Sequence, residues 1–110
     1  ENIQPTQLTA NQAVSLSMTE TKTFSQQYTI VLDEGVTELN INTSGGSGDA
    51  DLYVGINKSP TLSQYTHRSA HRGNNETLSY QSPAAGTYYI RLYSYRAFAN
   101  TQLKVQLSND

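Results

Sequence analysis

The stretch that decides the fold is SGGSGDADLYV, residues 44–54. Three glycines fall within four positions, and glycine readily adopts the positive φ angles that tight turns require. After the glycines, Leu52 and Val54 alternate with Tyr53, as in a strand that has one buried face. The stretch therefore predicts a glycine-rich turn that leads directly into a strand.

Two acidic side chains lie at this junction between turn and strand. Asp49 and Asp51 are two positions apart, and residues with that spacing in a strand point to the same side. We expect their carboxylates to converge on one cation or on the backbone N–H groups of the glycine-rich turn.

Outward from this stretch, period-two alternation between turn residues predicts strands along the whole chain, and no convincing helical pattern is present. The expected strands cover residues 13–18, 23–32, 36–43, 50–57, 64–68, 76–81 and 87–95, followed by a last apolar row at 103–107. About eight short strands in 110 residues predict an all-β fold, a two-sheet antiparallel β-sandwich that is jelly-roll-like in layout.

Length and composition limit the classes of protein that fit. The 110 residues predict a single domain, with residues 1–7 as a linker. The chain has no cysteine, which excludes a disulfide and a thiol nucleophile. Its net charge is −2 and its few basic residues are scattered, so we expect neither nucleic acid nor a membrane as a partner. The chain begins at Glu1 without a methionine, so we expect a segment of a longer or processed protein.

Several separated motifs resemble the bacterial pre-peptidase C-terminal domain, in the order found in that family. They are SGGSGDADLYV (44–54), SPT (59–61), GNNET (73–77) and PAAGTYYI (83–90), within a resemblance that covers residues 8–107. The family is a β-sandwich attached to secreted bacterial proteases, and it is similar to the collagen-binding domains of bacterial collagenases. The resemblance implies a secreted, non-catalytic accessory domain that works in cis with a catalytic domain, and we expect this domain to be a monomer. Many members carry a cysteine where Leu78 stands here, so their disulfide cannot form in this chain.

The residues themselves also argue against an enzyme. His67 and His71 have a spacing that suits zinc on a helix, but Ser69, Ala70 and Gly73 lie in a predicted loop and no glutamate directly follows His67, which favours solvated side chains. No serine lies in a nucleophile elbow. Asp49 and Asp51 are too close in sequence for the paired acids of a glycoside hydrolase.

Calcium is the cofactor that the glycine-rich turn suggests, because calcium prefers hard oxygen ligands at loop corners. The expected ligands are the carboxylates of Asp49 and Asp51 and oxygen atoms of Ser44 and Ser47, with Glu76 approaching from a neighbouring turn. The resemblance to collagen-binding domains also implies calcium. The alternative is structural: Asp49 caps the turn, and Asp51 pairs with Arg68, Arg72 or a hydroxyl.

Tyrosine is unusually abundant, with eight copies against two phenylalanines and no tryptophan. Tyr89, Arg91, Tyr93 and Tyr95 alternate with Ile90 and Leu92 on the strongest predicted strand. If the aliphatic residues are buried, these four side chains form an exposed strip that could bind substrate. The alternative is that the tyrosines only cover their cross-strand neighbours.

Tyr88, which comes directly before Tyr89 of the strip, is expected to point inward, with its hydroxyl hydrogen-bonded to the turn at residues 83–86.

These features predict a module that binds an insoluble substrate, such as collagen or another fibrous protein, and tethers a protease to it. A polysaccharide is the alternative ligand, since aromatic strips also bind sugars. A different alternative is a segment that assists secretion, folding or stability and is removed on maturation.

Overall fold

The computed structural model describes residues 6–109, and these form nine strands and no helix. The strands are β1 (Thr6–Gln7), β2 (Val14–Met18), β3 (Thr23–Phe24), β4 (Tyr28–Leu32), β5 (Val36–Ser44), β6 (Ser47–Ile56), β7 (His67–Ser69), β8 (Glu76–Gln81) and β9 (Gly86–Asn109). Within the described residues there is accordingly no helix that could span a membrane.

The strands form two sheets, which confirms the predicted all-β sandwich. Sheet I contains β1, β3, β4, β6 and β7, arranged around the first half of β9. Sheet II contains β2, β5 and β8, arranged around the second half of β9. All pairs are antiparallel except β1 and β4, which run parallel.

Strand β9 belongs to both sheets. Its residues 86–99 pair with β4, β3 and β6, whereas residues 98–109 pair with β2 and β5. The strand changes sheets close to Asn100, which has a φ of 59°. The sequence predicted two separate strands here, because residues 96–102 lack apolar alternation, but pairing with β2 and β6 keeps the strand continuous.

The core lies between the sheets and is made by the side chains that the alternation predicted. The fully buried members are aliphatic residues from the inner faces of both sheets together with Tyr88: Leu39, Ile41, Ala50, Leu52, Val54, Tyr88, Ile90, Leu92, Leu103 and Val105. Burial of these apolar side chains provides most of the driving force for folding.

Two expected boundaries differ in the structure. The predicted strand 23–32 is split into β3 and β4, because the side chain of Ser25 replaces its backbone carbonyl in pairing with Leu92. The backbone N–H of Ser25 donates to the carbonyl oxygen of Leu92 (2.7 Å), and the backbone N–H of Leu92 donates to Ser25 Oγ (3.0 Å). Thr6 and Gln7, expected in a linker, form β1, and residues 1–5 of that linker lie outside the described residues.

The glycine-rich turn joins β5 of sheet II to β6 of sheet I and packs against the bend of β9. Gly46 and Gly48 have φ angles of +75° and +97°. A Cβ atom at either position would lie 1.9 Å from a backbone carbonyl oxygen, that of Ala99 or Ala97 respectively. Only glycine permits this approach, which fixes the start of β6 and therefore the position of Asp49 and Asp51.

The predicted tyrosine corner is confirmed. Tyr88 is fully buried, and its hydroxyl donates a 2.9 Å hydrogen bond to the carbonyl oxygen of Ala84. This bond holds the turn between β8 and β9 against sheet I.

Candidate functional site

A groove of about 610 Å³ lies on the outer face of sheet I. Asp49 and Asp51 of β6 lie in it together with Tyr53, because these residues alternate with the buried Ala50 and Leu52. We call this surface the sheet I groove.

The rim of the sheet I groove is more exposed than its floor. Leu62 of the loop before β7 is 52% exposed and Tyr95 of β9 is 46% exposed. Lys22 also lines the groove, and its ammonium lies 3.3 Å from the centre of the Tyr95 ring and donates to the Tyr95 carbonyl oxygen (3.1 Å). The rim thus combines apolar, aromatic and cationic groups.

The two aspartates point to the same side, as their spacing predicted, and both are largely buried, with 8% exposure each. Burial raises the pKa of Asp51 to about 7, and the charges of Asp49 and Glu76 and a hydrogen bond between the two aspartates act in the same direction. Arg68 opposes the shift. Neither aspartate has an ion-pair partner within 4 Å among the residues described.

Asn74, and not Asp49, makes the contacts that hold the glycine-rich turn. Its side-chain amide accepts a hydrogen bond from the backbone N–H of Ala50 (2.8 Å) and donates to the carbonyl oxygens of Gly45 and Ser47 (3.0 Å each). In contrast, Asp49 Oδ1 is buried and has no hydrogen-bond partner in the described part of the chain. The expectation that Asp49 caps the turn is therefore not met.

Ser44 lies apart from this pair. It is exposed at the end of β5, opposite Gln102, and it does not line the sheet I groove. Residues 6–109 contain no group of three or more histidine, cysteine or acidic side chains that could hold a metal ion. Calcium usually takes six to eight oxygen ligands. The described residues supply two carboxylates here and do not by themselves fit calcium, which stays a prediction.

The predicted tyrosine strip shares one face of β9, but it is not an open surface. Tyr95 is exposed, whereas Tyr93 is only 8% exposed and Tyr89 is half-buried. Arg91 Nε and Nη2 donate to the carbonyl oxygen of Ser25 (3.1 and 3.0 Å), and burial lowers the pKa of this guanidinium. The expectation of four exposed side chains is wrong for Tyr93, and substrate binding by the four residues stays a prediction.

An aromatic cluster covers Tyr93. The Phe24 ring packs edge-on against Tyr93 (5.1 Å between centres) and against Tyr53 (5.2 Å), and Tyr65 packs against Tyr53 (5.3 Å). Edge-to-face packing is the favoured geometry for such rings. The sequence did not reveal this cluster, because Phe24, Tyr53 and Tyr65 come from three separate segments.

Ser69, His71 and Glu76 also meet, but not as a catalytic triad. Ser69 Oγ donates to Glu76 Oε1, and His71 Nδ1 faces both Glu76 Oε1 (2.9 Å) and Ser69 Oγ (3.3 Å). In a triad the histidine uses opposite ring nitrogens for the serine and the acid. The backbone N–H of His71 also donates to Glu76 Oε2 (2.8 Å). Glu76 therefore anchors the loop between β7 and β8.

Comparison with known proteins identifies the family. The bacterial pre-peptidase C-terminal domain family matches residues 24–94. The Extracellular protease of Xanthomonas campestris pv. campestris is 48% identical over 77 residues, which are 70% of this chain and 13% of that protein. Xanthomonalisin of Xanthomonas sp. is 46% identical over 61 residues, 56% of this chain and 7% of that protein. The chain therefore spans only a small part of the length of these relatives.

Two solved structures share the fold. The pre-peptidase C-terminal domain of collagenase from Bacillus anthracis superposes with a TM-score of 0.73 at 14% identity, covering 96% of this chain and 98% of that one. The solution structure of vEP C-ter 100 superposes with a TM-score of 0.71 at 33% identity, covering 92% of this chain and 98% of that one. These matches identify a non-catalytic domain, and in the protease relatives the matching region is a short part of the whole protein. The chain belongs to the bacterial pre-peptidase C-terminal domain family.

Proposed function

We propose that this domain is the accessory module of a secreted bacterial protease and that it binds insoluble fibrous protein, such as collagen, to hold the catalytic domain at its substrate. The observation that carries the proposal is the sheet I groove, which has exposed Leu62 and Tyr95 at its rim. Exposed apolar and aromatic groups around a concave surface mark interaction sites more often than other surface does.

The family context supports an accessory role. The relatives are proteases, one of them named as extracellular, and the domain occupies a small share of each. A module of modest affinity is sufficient for tethering, because binding raises the local concentration of cleavable bonds around a catalytic domain linked in cis.

The test is sedimentation of the 110-residue chain with insoluble collagen, comparing the original sequence with Tyr95→Ala. Val31→Ala is the matched control, since Val31 is 53% exposed on β4 and does not line the groove. We expect Tyr95→Ala to reduce the bound fraction and Val31→Ala to leave it unchanged. Repeating the assay with EGTA tests the calcium prediction separately.

Other outcomes discriminate between the alternatives. Sedimentation with cellulose or chitin but not with collagen would indicate that the ligand is a polysaccharide and not a fibrous protein. Failure to bind any of these solids, combined with a lower secreted yield of a parent protease that lacks the domain, would favour a role in secretion or folding.

A further inference from the structure

The sheet I groove contains a pair of carboxyl groups without a counter-ion. Asp49 and Asp51 are both more than nine-tenths buried, and no cation lies within 4 Å of either in the described residues. Asp49 Oδ1 also lacks any hydrogen-bond partner within residues 6–109. A buried carboxylate is costly, and the hydrogen bond between the two aspartates lowers this cost without supplying a positive charge, so a cation that binds there would complete the arrangement.

The walls of the groove are suited to an organic cation. Tyr53, Tyr93 and Tyr95 line the same space as the two aspartates. The faces of tyrosine rings attract ammonium and guanidinium groups, and this attraction strengthens when water is excluded.

The chain's own cations already use these rings at the rim. The Lys22 ammonium lies 3.3 Å from the centre of the Tyr95 ring. The Arg68 guanidinium carbon lies 5.9 Å from the centre of the Tyr53 ring, and Arg68 Nη1 donates to the Tyr53 hydroxyl (3.1 Å). The rings therefore accept cations at their outer ends, while none of the cations that line the groove, Lys22, Arg68 and Arg72, comes within 4 Å of either aspartate.

The number of oxygen donors distinguishes between types of cation. Calcium needs more ligands than the two carboxylates supply, and no group of three acidic, histidine or cysteine side chains suited to a metal occurs in the described chain. A lysine ammonium or an arginine guanidinium needs only one or two carboxylate contacts, and its aliphatic stem packs against aromatic rings.

We propose that the sheet I groove binds a cationic side chain, lysine or arginine, of a substrate polypeptide, with Asp51 and Asp49 contacting the charge and the exposed Tyr95 ring packing against the stem. This inference rests on the proposed function and adds the chemistry of the residue that is recognised. Lys22, which lies at the mouth over Tyr95, competes with the incoming cation and moves aside when it binds.

The test is an NMR titration of the 110-residue chain with the peptide acetyl-Gly-Ala-Lys-Ala-Gly-amide, following the backbone signals of Asp51 and Tyr53. We expect saturable shifts that centre on β6. The same peptide with Nε-acetyllysine, which has no charge, should give no shifts at these positions, and an arginine peptide should bind.

Three variants test the residues. Asp51→Asn, which keeps the shape of the side chain, should weaken binding about tenfold or more, the factor expected for losing one charge-assisted contact. Asp33→Asn is the matched control, because Asp33 is an exposed acid outside the groove, and binding should be unchanged. Lys22→Ala should tighten binding several-fold by removing the competing ammonium.

The results separate this inference from the proposed function. Equal shifts with lysine and acetyllysine peptides, or no loss of affinity in a folded Asp51→Asn variant, would overturn the cation site even if the chain sediments with collagen. Specific binding of the lysine peptide without sedimentation would support the cation site and refute the fibrous target.

Discussion

The side-chain oxygen of Asn74 accepts a 2.8 Å hydrogen bond from the backbone N–H of Ala50, although the two residues are 24 positions apart. The same side chain donates to the carbonyl oxygens of Gly45 and Ser47. One amide thereby fixes both ends of the glycine-rich turn next to the two aspartates.

Replacement of Asn74 should therefore destabilise the domain strongly. Asn74→Ala removes three hydrogen bonds made by a buried side chain, each with a net contribution of about 1 kcal/mol, so we expect the free energy of unfolding to fall by about 2 to 4 kcal/mol. Asn75→Ala is the control, since Asn75 is exposed and accepts one longer bond from Gly45 N (3.3 Å). Urea unfolding of both variants checks this, and equal losses would contradict it.

A pair of glycine substitutions should separate backbone strain from steric crowding. Gly48 and Gly73 both have positive φ, +97° and +90°, but only Gly48 is crowded, by the carbonyl oxygen of Ala97. Gly73→Ala should cost about 1 to 2 kcal/mol from the unfavourable φ alone. Gly48→Ala should cost about 1 to 3 kcal/mol more, because the backbone of β9 must move. Thermal unfolding of the two variants gives the difference, and a smaller loss at Gly48 would refute the close approach.

The tyrosine corner can be tested with a pair of neighbours. Tyr88→Phe removes only the hydroxyl that binds the Ala84 carbonyl oxygen, and we expect a loss of about 1 kcal/mol in the free energy of unfolding. Tyr89→Phe, at a half-buried neighbour whose hydroxyl has no hydrogen bond within the described residues, should change it little. Chemical denaturation measures both, and a neutral Tyr88→Phe would show that water replaces the bond fully.

Asp51 should make the stability of the domain depend on pH. Its pKa is raised from 3.8 in the unfolded chain to about 7 in the folded domain. Between these two pH values the folded state holds a proton that the unfolded state has released. The contribution of Asp51 to the free energy of unfolding should therefore be fully present below about pH 4, fall as the pH rises toward 7, and be lost above it. Burial is the largest cause of this raised pKa, the charges of Asp49 and Glu76 add to it, and Arg68 opposes it.

Asp51→Asn should flatten this part of the profile, and Asp33→Asn should not. Unfolding midpoints measured in urea between pH 4 and pH 8 make the comparison. A slope that persists in a folded Asp51→Asn variant would assign the titration to another group.

The sequence predicted the features that depend on local periodicity. Alternation placed Leu52 and Val54 in the core and Asp49 and Asp51 on the opposite face, and the structure agrees with both assignments. The corner residue Tyr88 was also predictable, because its position after PAAG places the hydroxyl over the turn.

The features that the sequence did not predict depend on contacts between distant segments. Alternation correctly predicted that Tyr93 and Leu92 point to opposite faces of β9. It could not show that Phe24, from the other end of the chain, packs over the Tyr93 ring. Likewise, no local pattern indicates that Lys22 lies over Tyr95, or that Asn74 reaches the turn before β6. The groove is built by these long-range contacts.

Because β9 belongs to both sheets, the domain can fold only late during its synthesis. The ribosome synthesises residues 86–109 after all the strands that pair with them, which are β2 to β6. Neither sheet can be completed until this segment has left the ribosome, and the pairings then close long loops, which slows folding. The nascent domain should therefore remain unfolded through most of its synthesis, which is the state in which a chain can be threaded through a narrow translocation channel.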